Sequence, residues 1–296
     1  MIKKKFIKKY ALKSVRAIND KSVIFFLNNI LKNQNLFKIL HNDHLQDLFL
    51  KEYKKWILSS KLNNLKNLNI FKYSCFSQGS SQSFDYFYSK YKNRRFRAFK
   101  GDYAYHYVSW RNNFPGWRYI EDDNLKKNDA VVISLPFSDT GSKHFLMDKI
   151  ILECEKKNIP VMIDCCYFTM CSGINFNFNK KCIKMVVFSL SKAFPVSRLR
   201  IGMRLTKKDD DDPLFFFKKL NFVNKMSIFI GLKLIKKFKF DYLYKKYYSM
   251  QKHICKKLDL DPSSMVNIGI GGKKWRKFNR GGKLNRVCLS RYYEAK

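Results

Sequence analysis

Residues 184–202 read KMVVFSLSKAFPVSRLRIG, and this stretch decides the fold. It opens with an apolar, β-branched run that ends at Ser189, a pattern typical of a strand buried on both faces of a sheet. Similar runs lie at residues 130–135 and 160–164, with a helical pattern between them at 142–157. Short apolar strands that alternate with helices predict an α/β fold, in which helices sandwich a mainly parallel sheet.

Polar residues follow each of these three runs at the point where the run ends. The residues in these places are Ser138 to Gly141, Asp164, Tyr167, Ser189 and Lys192. Because ligands bind outside the carboxyl ends of the strands in such sheets, we expect these side chains to line one site.

Lys192 is the candidate for covalent chemistry. A lysine just beyond a buried strand can be partly desolvated, and desolvation favours the neutral amine that attacks carbonyl groups. Lysine is abundant in this chain, so Lys192 stands out only because of its neighbours, Ser189 before it and Arg200 after it. A hydroxyl and a guanidinium at these positions can converge on one phosphate, since arginine matches the geometry of that oxyanion.

Residues 189–202 resemble the lysine motif of the fold-type I pyridoxal-phosphate enzymes, specifically the class I and II aminotransferases. That motif is S-x-S-K-x-F followed by a strand of the form G-x-R-x-G. The glycine that usually precedes the arginine is not matched, because Ser197 and Arg198 stand there. The resemblance implies pyridoxal 5′-phosphate as the cofactor, held as a Schiff base by Lys192.

The resemblance extends to Asp164-Cys165-Cys166-Tyr167, which is similar to the family's D-x-A-Y and lies 28 residues before Lys192. It implies that Asp164 pairs with the ring nitrogen of the cofactor and that the Tyr167 hydroxyl bonds the phenolic oxygen. An anion beside the ring nitrogen keeps that nitrogen cationic, so the ring can accept electrons.

Residues 134–141, SLPFSDTG, resemble the family's N-P-x-N-P-T-G segment with one departure. Ser138 stands where the family usually has the asparagine that bonds the phenolic oxygen. A serine donates one hydrogen bond with a shorter reach, so we expect that cofactor binding or reaction specificity differs from the common pattern. The same segment is also an ordinary turn sequence.

The family's phosphate-binding residues have counterparts upstream. Gly79, Ser80 and Ser81 match its small-residue cradle at a helix N-terminus, where backbone N–H groups and the helix dipole favour an anion. With Ser189 and Arg200, the resemblance assigns these three residues to the cofactor phosphate.

Two further positions complete the resemblance. Tyr103 matches the aromatic residue that stacks on the cofactor ring, and aligns better than Tyr105. Arg286, in an apolar alternation that predicts a strand, matches the arginine that binds the substrate carboxylate, and Arg280 is a less well placed alternative.

These matches predict an aminotransferase that moves an amino group between an amino acid and a keto acid or aldehyde. The freed amine of Lys192 would act as general base and acid on the substrate's Cα proton. The matched motifs bind the cofactor and do not determine which reaction it performs. Decarboxylation, elimination and acyl condensation therefore remain alternatives. The family builds its site across a two-fold interface, so the resemblance also implies a homodimer.

The sequence predicts three regions along the chain. A basic arm of short helices (1–43) precedes a large cofactor-binding α/β domain (44–210), and a smaller α+β domain (211–296) follows it. The four aspartates at 209–212, followed by proline, mark the second boundary and do not have the spacing of a calcium loop. Other expected elements are a helix at 45–59, a strand at 69–76, mostly helical structure at 222–258, and strands at 263–271 and 284–290.

The net charge of +37, from 60 basic and 23 acidic residues, has two explanations. One is an AT-rich coding sequence, which would also explain the abundant Asn, Ile, Phe and Tyr. The other is selection for binding to polyanions. A nucleic-acid-binding protein is therefore the rival function, although it would leave the ordered motifs unexplained. We expect no nucleic-acid partner.

The eight cysteines are scattered and form no C-x-x-C pair, which indicates a reducing compartment. No apolar run is long enough to span a bilayer, so we expect a cytoplasmic protein without a membrane partner. Residues 1–10 carry five lysines and predict a solvated end, or alternatively a transit-like or membrane-surface helix. His41, Asp43 and His44 predict a polar turn rather than a metal site.

Overall fold

The structure is a computed structural model and describes residues 10–294. The strands in chain order are β1 (Asn64–Lys66), β2 (Tyr73–Gln78), β3 (Arg95–Ala98), β4 (Arg118–Tyr119), β5 (Asp129–Ser134), β6 (Val161–Asp164), β7 (Asn175–Asn177), β8 (Ile183–Ser189), β9 (Ile201–Thr206), β10 (Leu260–Pro262), β11 (Ile268–Gly271) and β12 (Asn285–Cys288). The α-helices are α1 (Lys21–Asn29), α2 (Leu36–Leu40), α3 (Leu45–Leu58), α4 (Gly79–Lys90), α5 (Ala104–Asn113), α6 (Met147–Lys156), α7 (Pro213–Lys219), α8 (Lys225–Lys237), α9 (Tyr242–Leu258) and α10 (Ser290–Glu294).

A seven-stranded sheet in the order β2-β9-β8-β6-β5-β3-β4 forms the centre of the molecule. The strands from β8 to β4 are parallel to one another, and β9 runs antiparallel between β2 and β8. The prediction of a mainly parallel α/β sheet is therefore confirmed. Ser134 pairs with Asp164, and Asp164 pairs with Val187, so the carboxyl ends of three strands meet at one edge of the sheet.

The continuous apolar run of β5 follows from its burial on both faces. Val131 and Ile133 pack into one hydrophobic core, while Ala130 and Val132 pack into a second core. Successive strand residues point to opposite faces, so a strand between two cores needs apolar residues at every position.

Two predicted boundaries shift in the structure. The strand expected at 69–76 begins at Tyr73, because a 3-10 turn at Leu68–Ile70 follows a left-handed Asn67. The helix expected at 142–157 begins at Met147. The helix expected at 45–59 is present as α3.

The strand β3 was not predicted, because Arg95 and Arg97 interrupt its apolar pattern. Both guanidinium groups form ion pairs with the buried Asp129, at 2.6 Å and 2.8 Å respectively. Pairing with a carboxylate makes the burial of these charges possible. The strand therefore lacks the apolar sequence pattern of its neighbours, because the fold neutralises its two charged residues by ion pairs.

Beyond the main sheet, α8 and α9 lead to an antiparallel sheet of β10, β11 and β12. The strands expected at 263–271 and 284–290 correspond to β11 and β12, and β10 was not predicted. The division into 1–43, 44–210 and 211–296 stays a prediction. Asp212 caps the N-terminus of α7, close to the second predicted boundary.

The chain between residues 10 and 19 runs against the C-terminal part of the protein. Leu12 forms an antiparallel bridge with Cys288, whose N–H donates to the Leu12 carbonyl. The predictions for residues 1–9 lie outside the described residues. All eight cysteines are free and buried. Between residues 10 and 294, no helix has the length and apolar character required to cross a membrane.

Candidate active site

A cavity lies at the edge of the sheet where β5, β6 and β8 end. Eight residues that the sequence assigned to the site line this cavity together. They are Ser80, Tyr103, Ser138, Asp164, Tyr167, Ser189, Lys192 and Arg200. The expectation that residues beyond neighbouring strand ends share one site agrees with this arrangement, as the geometry of parallel sheets requires.

Arg200 forms one end of the cavity, against the first turn of α4. Its Nη2 donates to the Ser81 Oγ at 2.8 Å, and its main-chain oxygen accepts from the Gly79 N–H at 2.7 Å. Gly79 has a φ of +69°, and a Cβ on it would overlap the Arg200 guanidinium. Gly79 and Ser81 thus hold Arg200 beside a helix N-terminus, a combination that attracts an anion.

Ser189 adds its hydroxyl at the end of β8, near the same wall. Its Oγ donates to the Ile201 carbonyl at 3.2 Å and accepts from the Ser191 N–H at 3.2 Å. Ser189, Ser191 and Ser197 all line the cavity with Arg200. This wall therefore offers several hydroxyl groups and one cation to a bound anion.

Asp164 is the buried carboxylate of the site, with 5% of its surface exposed. Its Oδ1 accepts from the Cys166 N–H at 3.0 Å. Burial raises the pKa of Asp164 to about 6, and its bonds with Cys166 oppose the shift. No cation lies within ion-pair distance of this carboxylate among the described residues, so it can accept a positively charged partner in the cavity.

Lys192 is half-buried between the cavity and the N-terminal chain. Its Nζ donates to the Val15 carbonyl at 2.9 Å and lies 5.9 Å from the centre of the Tyr167 ring. The sequence contained no signal for the role of Val15, because the contact uses a main-chain oxygen.

Ser138 is fully buried and receives hydrogen bonds from two arginines. Its Oγ accepts from Arg280 Nη1 at 3.1 Å and from Arg286 Nη1 at 3.4 Å, and Arg286 also donates to its main-chain oxygen. Because its oxygen accepts from these guanidinium groups, the hydroxyl proton of Ser138 is available to a group in the cavity.

Arg286 does not line the cavity, although the sequence assigned it to the substrate carboxylate. It lies directly behind Ser138, is 1% exposed, and its Nη2 donates to the Lys13 carbonyl at 2.9 Å. Burial lowers the pKa of Arg286. Its carboxylate-binding role stays a prediction, and Arg280 reaches the same serine.

Tyr103 faces the cavity and Tyr105 does not. Tyr105 instead donates its hydroxyl to the carboxylate of Asp85 on α4, at 2.9 Å. Burial raises the pKa of Tyr103 to about 12, so its hydroxyl stays protonated.

Other cavity residues were not assigned from the sequence. They include Cys166, whose N–H donates to Asp164, and Ser134, which pairs with Asp164 across the sheet. The Ser134 hydroxyl donates to the buried Asp102, the residue before Tyr103, and burial raises the pKa of Asp102. The lysine motif itself contained the signal for Ser191 and Ser197, two hydroxyl residues beside Lys192.

The residues fit pyridoxal phosphate on three counts. Asp164 is a buried carboxylate with no cation of residues 10–294 at ion-pair distance, which leaves it free for the ring nitrogen. Arg200 and Ser80 line the cavity at the start of a helix, where they can bind a phosphate. A side chain at position 79 would overlap Arg200, and glycine avoids this. Lys192 lines the same cavity and can reach an aldehyde there. Within residues 10–294, no group of side chains has the composition of a metal site.

Fold and site together define a fold-type I pyridoxal-phosphate enzyme. The family model for class I and II aminotransferases matches residues 80–230, just over half of the chain. The chain belongs to this family. The predicted family and its cofactor, pyridoxal 5′-phosphate, are confirmed.

Enzymes whose solved structures have the same fold catalyse different reactions. L-threonine-O-3-phosphate decarboxylase from Porphyromonas gingivalis superposes with a TM-score of 0.65 at 14% identity, covering 94% of this chain and 93% of that one. Histidinol-phosphate aminotransferase from Clostridium acetobutylicum gives 0.59 at 14% identity, with coverages of 95% and 93%. A PLP-bound C-S lyase from Staphylococcus hominis gives 0.64 at 11% identity, with coverages of 98% and 90%. Comparison with curated protein sequences gave no match.

Proposed function

We propose that the protein is a pyridoxal-phosphate-dependent aminotransferase that acts on an amino acid and a keto acid or aldehyde. The observation that carries this proposal is that Lys192, Asp164 and Arg200 line one cavity. An amine, a carboxylate and a guanidinium match the aldehyde, the ring nitrogen and the phosphate of a single heterocycle.

The bound cofactor supplies an aldehyde that condenses with amines and a ring that accepts electrons from the substrate's Cα. Lys192 provides the amine that holds the cofactor covalently. Once displaced by the substrate, the same amine would take the proton from the substrate's Cα as general base and, as general acid, deliver it to the carbon that was the cofactor's aldehyde carbon. In the structure this amine donates a hydrogen bond to the Val15 carbonyl at 2.9 Å, which helps to fix its position.

Asp164 keeps the ring nitrogen protonated. Without a partner, its burial raises the pKa of its carboxyl to about 6. A cation against this carboxylate lowers the pKa again, so carboxylate and ring nitrogen stabilise each other's charge. The phosphate is oriented by Arg200, Ser80, Ser81 and Ser189. We assign the orientation of the substrate carboxylate to Arg286, which lies directly behind Ser138.

A second candidate reaction on the same cofactor is decarboxylation or elimination. It is favoured by one observation, the serine at position 138 in place of the asparagine that is usual in the family. Two of the similar structures are a decarboxylase and a C-S lyase. The residues that anchor the cofactor serve these reactions equally well.

The test incubates the purified, cofactor-loaded protein with each of the common amino acids and a keto-acid acceptor. We expect formation of the amino acid derived from the acceptor, measured by chromatography. Release of carbon dioxide, ammonia or sulfide without amine transfer would support the second candidate. Absence of any cofactor absorbance in the visible range would contradict both.

We also propose a homodimer located in the cytoplasm. Support for the dimer comes from the family, whose sites are completed across a two-fold interface. Support for the location comes from the eight free, buried cysteines. Sedimentation of the loaded protein at twice the monomer mass of 35.4 kDa is the expected result.

A further inference from the structure

Asp102 is a buried carboxylate that bonds two residues of the cavity lining without lining the cavity itself. Only 1% of its surface is exposed. It directly precedes Tyr103, the N-cap residue of α5, and both Tyr103 and Ser134 line the cavity. The contacts of Asp102 therefore bear on the shape of the site.

The carboxylate accepts three hydrogen bonds from two separate segments. Its Oδ1 accepts from the Tyr103 N–H at 2.6 Å and from the Ser134 hydroxyl, and its Oδ2 accepts from the Ser134 N–H at 3.2 Å. Ser134 is the last residue of β5 and pairs with Asp164 on β6. One side chain thus joins the start of α5 to the sheet edge at which the site lies.

The turn that carries Asp102 is closely packed. The Asp102 N–H donates to the Phe99 carbonyl at 3.2 Å, and the Phe99 ring stacks on His144 with 3.7 Å between the ring centres. Gly101 has a φ of +85°, and a Cβ on it would lie 2.9 Å from the Asp139 Cγ. The carboxylate of Asp102 therefore starts from a fixed position in the fold.

The Tyr103 ring itself is held by weaker contacts. It packs edge-on against Phe84 and His106, with ring centres 6.4 Å and 5.8 Å away. Such contacts stabilise the ring but do not fix the main chain that carries it. The hydrogen bond from the Tyr103 N–H to Asp102 does fix that main chain.

Burial raises the pKa of Asp102, and the hydrogen bonds from Ser134 and Tyr103 oppose the rise. A buried carboxylate costs free energy, which such donors offset. Carboxylates kept at buried positions in this way are typical of functional sites.

We propose that Asp102 is a positioning residue that holds Tyr103 against the end of β5, so that the Tyr103 ring is in place to stack on the cofactor ring. This inference rests on the proposed function, because it assigns the Tyr103 ring to the bound cofactor. A ring held in place beforehand does not have to be ordered when the cofactor binds, which strengthens binding.

The test is a double-mutant cycle on cofactor affinity, measured by absorbance titration of the cofactor-free protein with pyridoxal phosphate. Asp102→Asn keeps the size of the side chain and replaces one acceptor oxygen by a donor. We expect it to weaken binding about 5-fold or more, since a bond to a charged group is lost. In a Tyr103→Ala background the same change should cost less than about 2-fold, because no ring remains to be positioned.

Circular dichroism gives a second readout of the ring position. The signal of the bound cofactor in the visible range reports how its ring is held, so Asp102→Asn should weaken this signal at full cofactor occupancy.

Asp85→Asn is the matched control. Asp85 also accepts a hydrogen bond from a tyrosine, Tyr105, and does not line the cavity. This variant should change neither the affinity nor the dichroism. If Asp102→Asn does not fold, Ser134→Ala takes its place in the cycle, because it removes the hydroxyl bond to Asp102 and leaves the carboxylate. Its expected loss of affinity is about 3-fold, again only when Tyr103 is present.

The outcomes separate this inference from the proposed function. An equal loss of affinity in both backgrounds overturns the inference, because Asp102 then supports the fold without acting through Tyr103. An unchanged affinity in Asp102→Asn overturns it as well. If Tyr103→Ala binds the cofactor like the wild type, the ring contact is wrong and this inference falls alone. A wild-type protein that takes up no cofactor overturns the proposed function, and this inference with it.

Discussion

The amine of Lys192 and the main-chain oxygen of Val15 lie 2.9 Å apart and form a hydrogen bond across 177 residues of sequence. The N-terminal chain is thereby part of the surroundings of Lys192. Neighbouring carbonyls of this chain are held from the C-terminal side, at Lys13 by Arg286 and at Arg16 by Asn267.

Asn267→Ala tests how firmly the N-terminal chain is held. Loss of the buried bond to the Arg16 carbonyl should reduce the free energy of unfolding by about 1–2 kcal/mol and speed tryptic cleavage after Lys13 and Arg16. Asn113→Ala is the control, because Asn113 makes only a local bond on an exposed helix face. Equal cleavage rates in the two variants would contradict the anchoring role.

Asp164→Asn should separate stability from cofactor binding. Burial raises the pKa of Asp164 from 3.8 to about 6. Between these two pH values, the folded protein without cofactor keeps a proton on this carboxyl that the unfolded chain has lost. The stability linked to this group is therefore full below pH 4 and falls as the pH rises through 6. At pH 8 the loss is on the order of 3 kcal/mol, since a tenfold change in proton affinity corresponds to about 1.4 kcal/mol.

Urea denaturation of the cofactor-free proteins measures this effect. At pH 8 we expect Asp164→Asn to be more stable than the wild type by about 1–3 kcal/mol, with the difference vanishing near pH 4. The same variant should bind pyridoxal phosphate at least 10-fold more weakly. Asp148→Asn, at an exposed carboxylate on α6, should change neither quantity. An unchanged cofactor affinity would contradict the role of Asp164.

Gly79→Ala tests the phosphate end of the site. The added Cβ would overlap the Arg200 guanidinium, so we expect cofactor affinity to fall at least 10-fold. Gly173→Ala is a matched control, because Gly173 has a similar φ of +75° and no atom within 4 Å of the added carbon. Both variants carry a backbone strain of about 1 kcal/mol, but only the first should weaken binding of the cofactor, measured by absorbance titration.

Arg286→Lys tests the predicted carboxylate contact. If Arg286 orients the substrate, the loaded variant should show a KM for the amino acid at least 10-fold higher, because a lysine cannot form the two-pronged pair. The affinity for pyridoxal phosphate should change less than 2-fold. A fall in cofactor affinity with no change in KM would assign Arg286 only to the support of Ser138.

The main sheet was predictable because its central strands carry their signal locally. In β5 the four residues 130–133 alternate between two cores, so this part of the strand is apolar at every position. The same signal fails for β3, where Arg95 and Arg97 are neutralised by Asp129, more than thirty residues away in sequence. Charges paired over such a distance cannot be recognised in one stretch of sequence.

The residues of the site also divide into those that local motifs predict and those that only the fold brings together. Lys192, Asp164 and Arg200 belong to motifs of fixed spacing at strand ends, and one cavity contains all three. The contacts of Val15 and Arg280 were not predictable, because one uses a main-chain oxygen and the other joins a loop to a serine 142 residues away. The position of Arg286 behind Ser138 depends on how β12 packs against the loop after β5.

The most direct test of the central claim is borohydride reduction of the cofactor-loaded protein, followed by peptide mass mapping. We predict that the visible absorbance of the cofactor disappears and that the reduced pyridoxyl group is found on Lys192. Lys192→Ala should carry no such group, and Lys184→Ala, at an exposed lysine of β8, should be labelled like the wild type. Modification of a different lysine, or the same labelling in Lys192→Ala, would contradict the account.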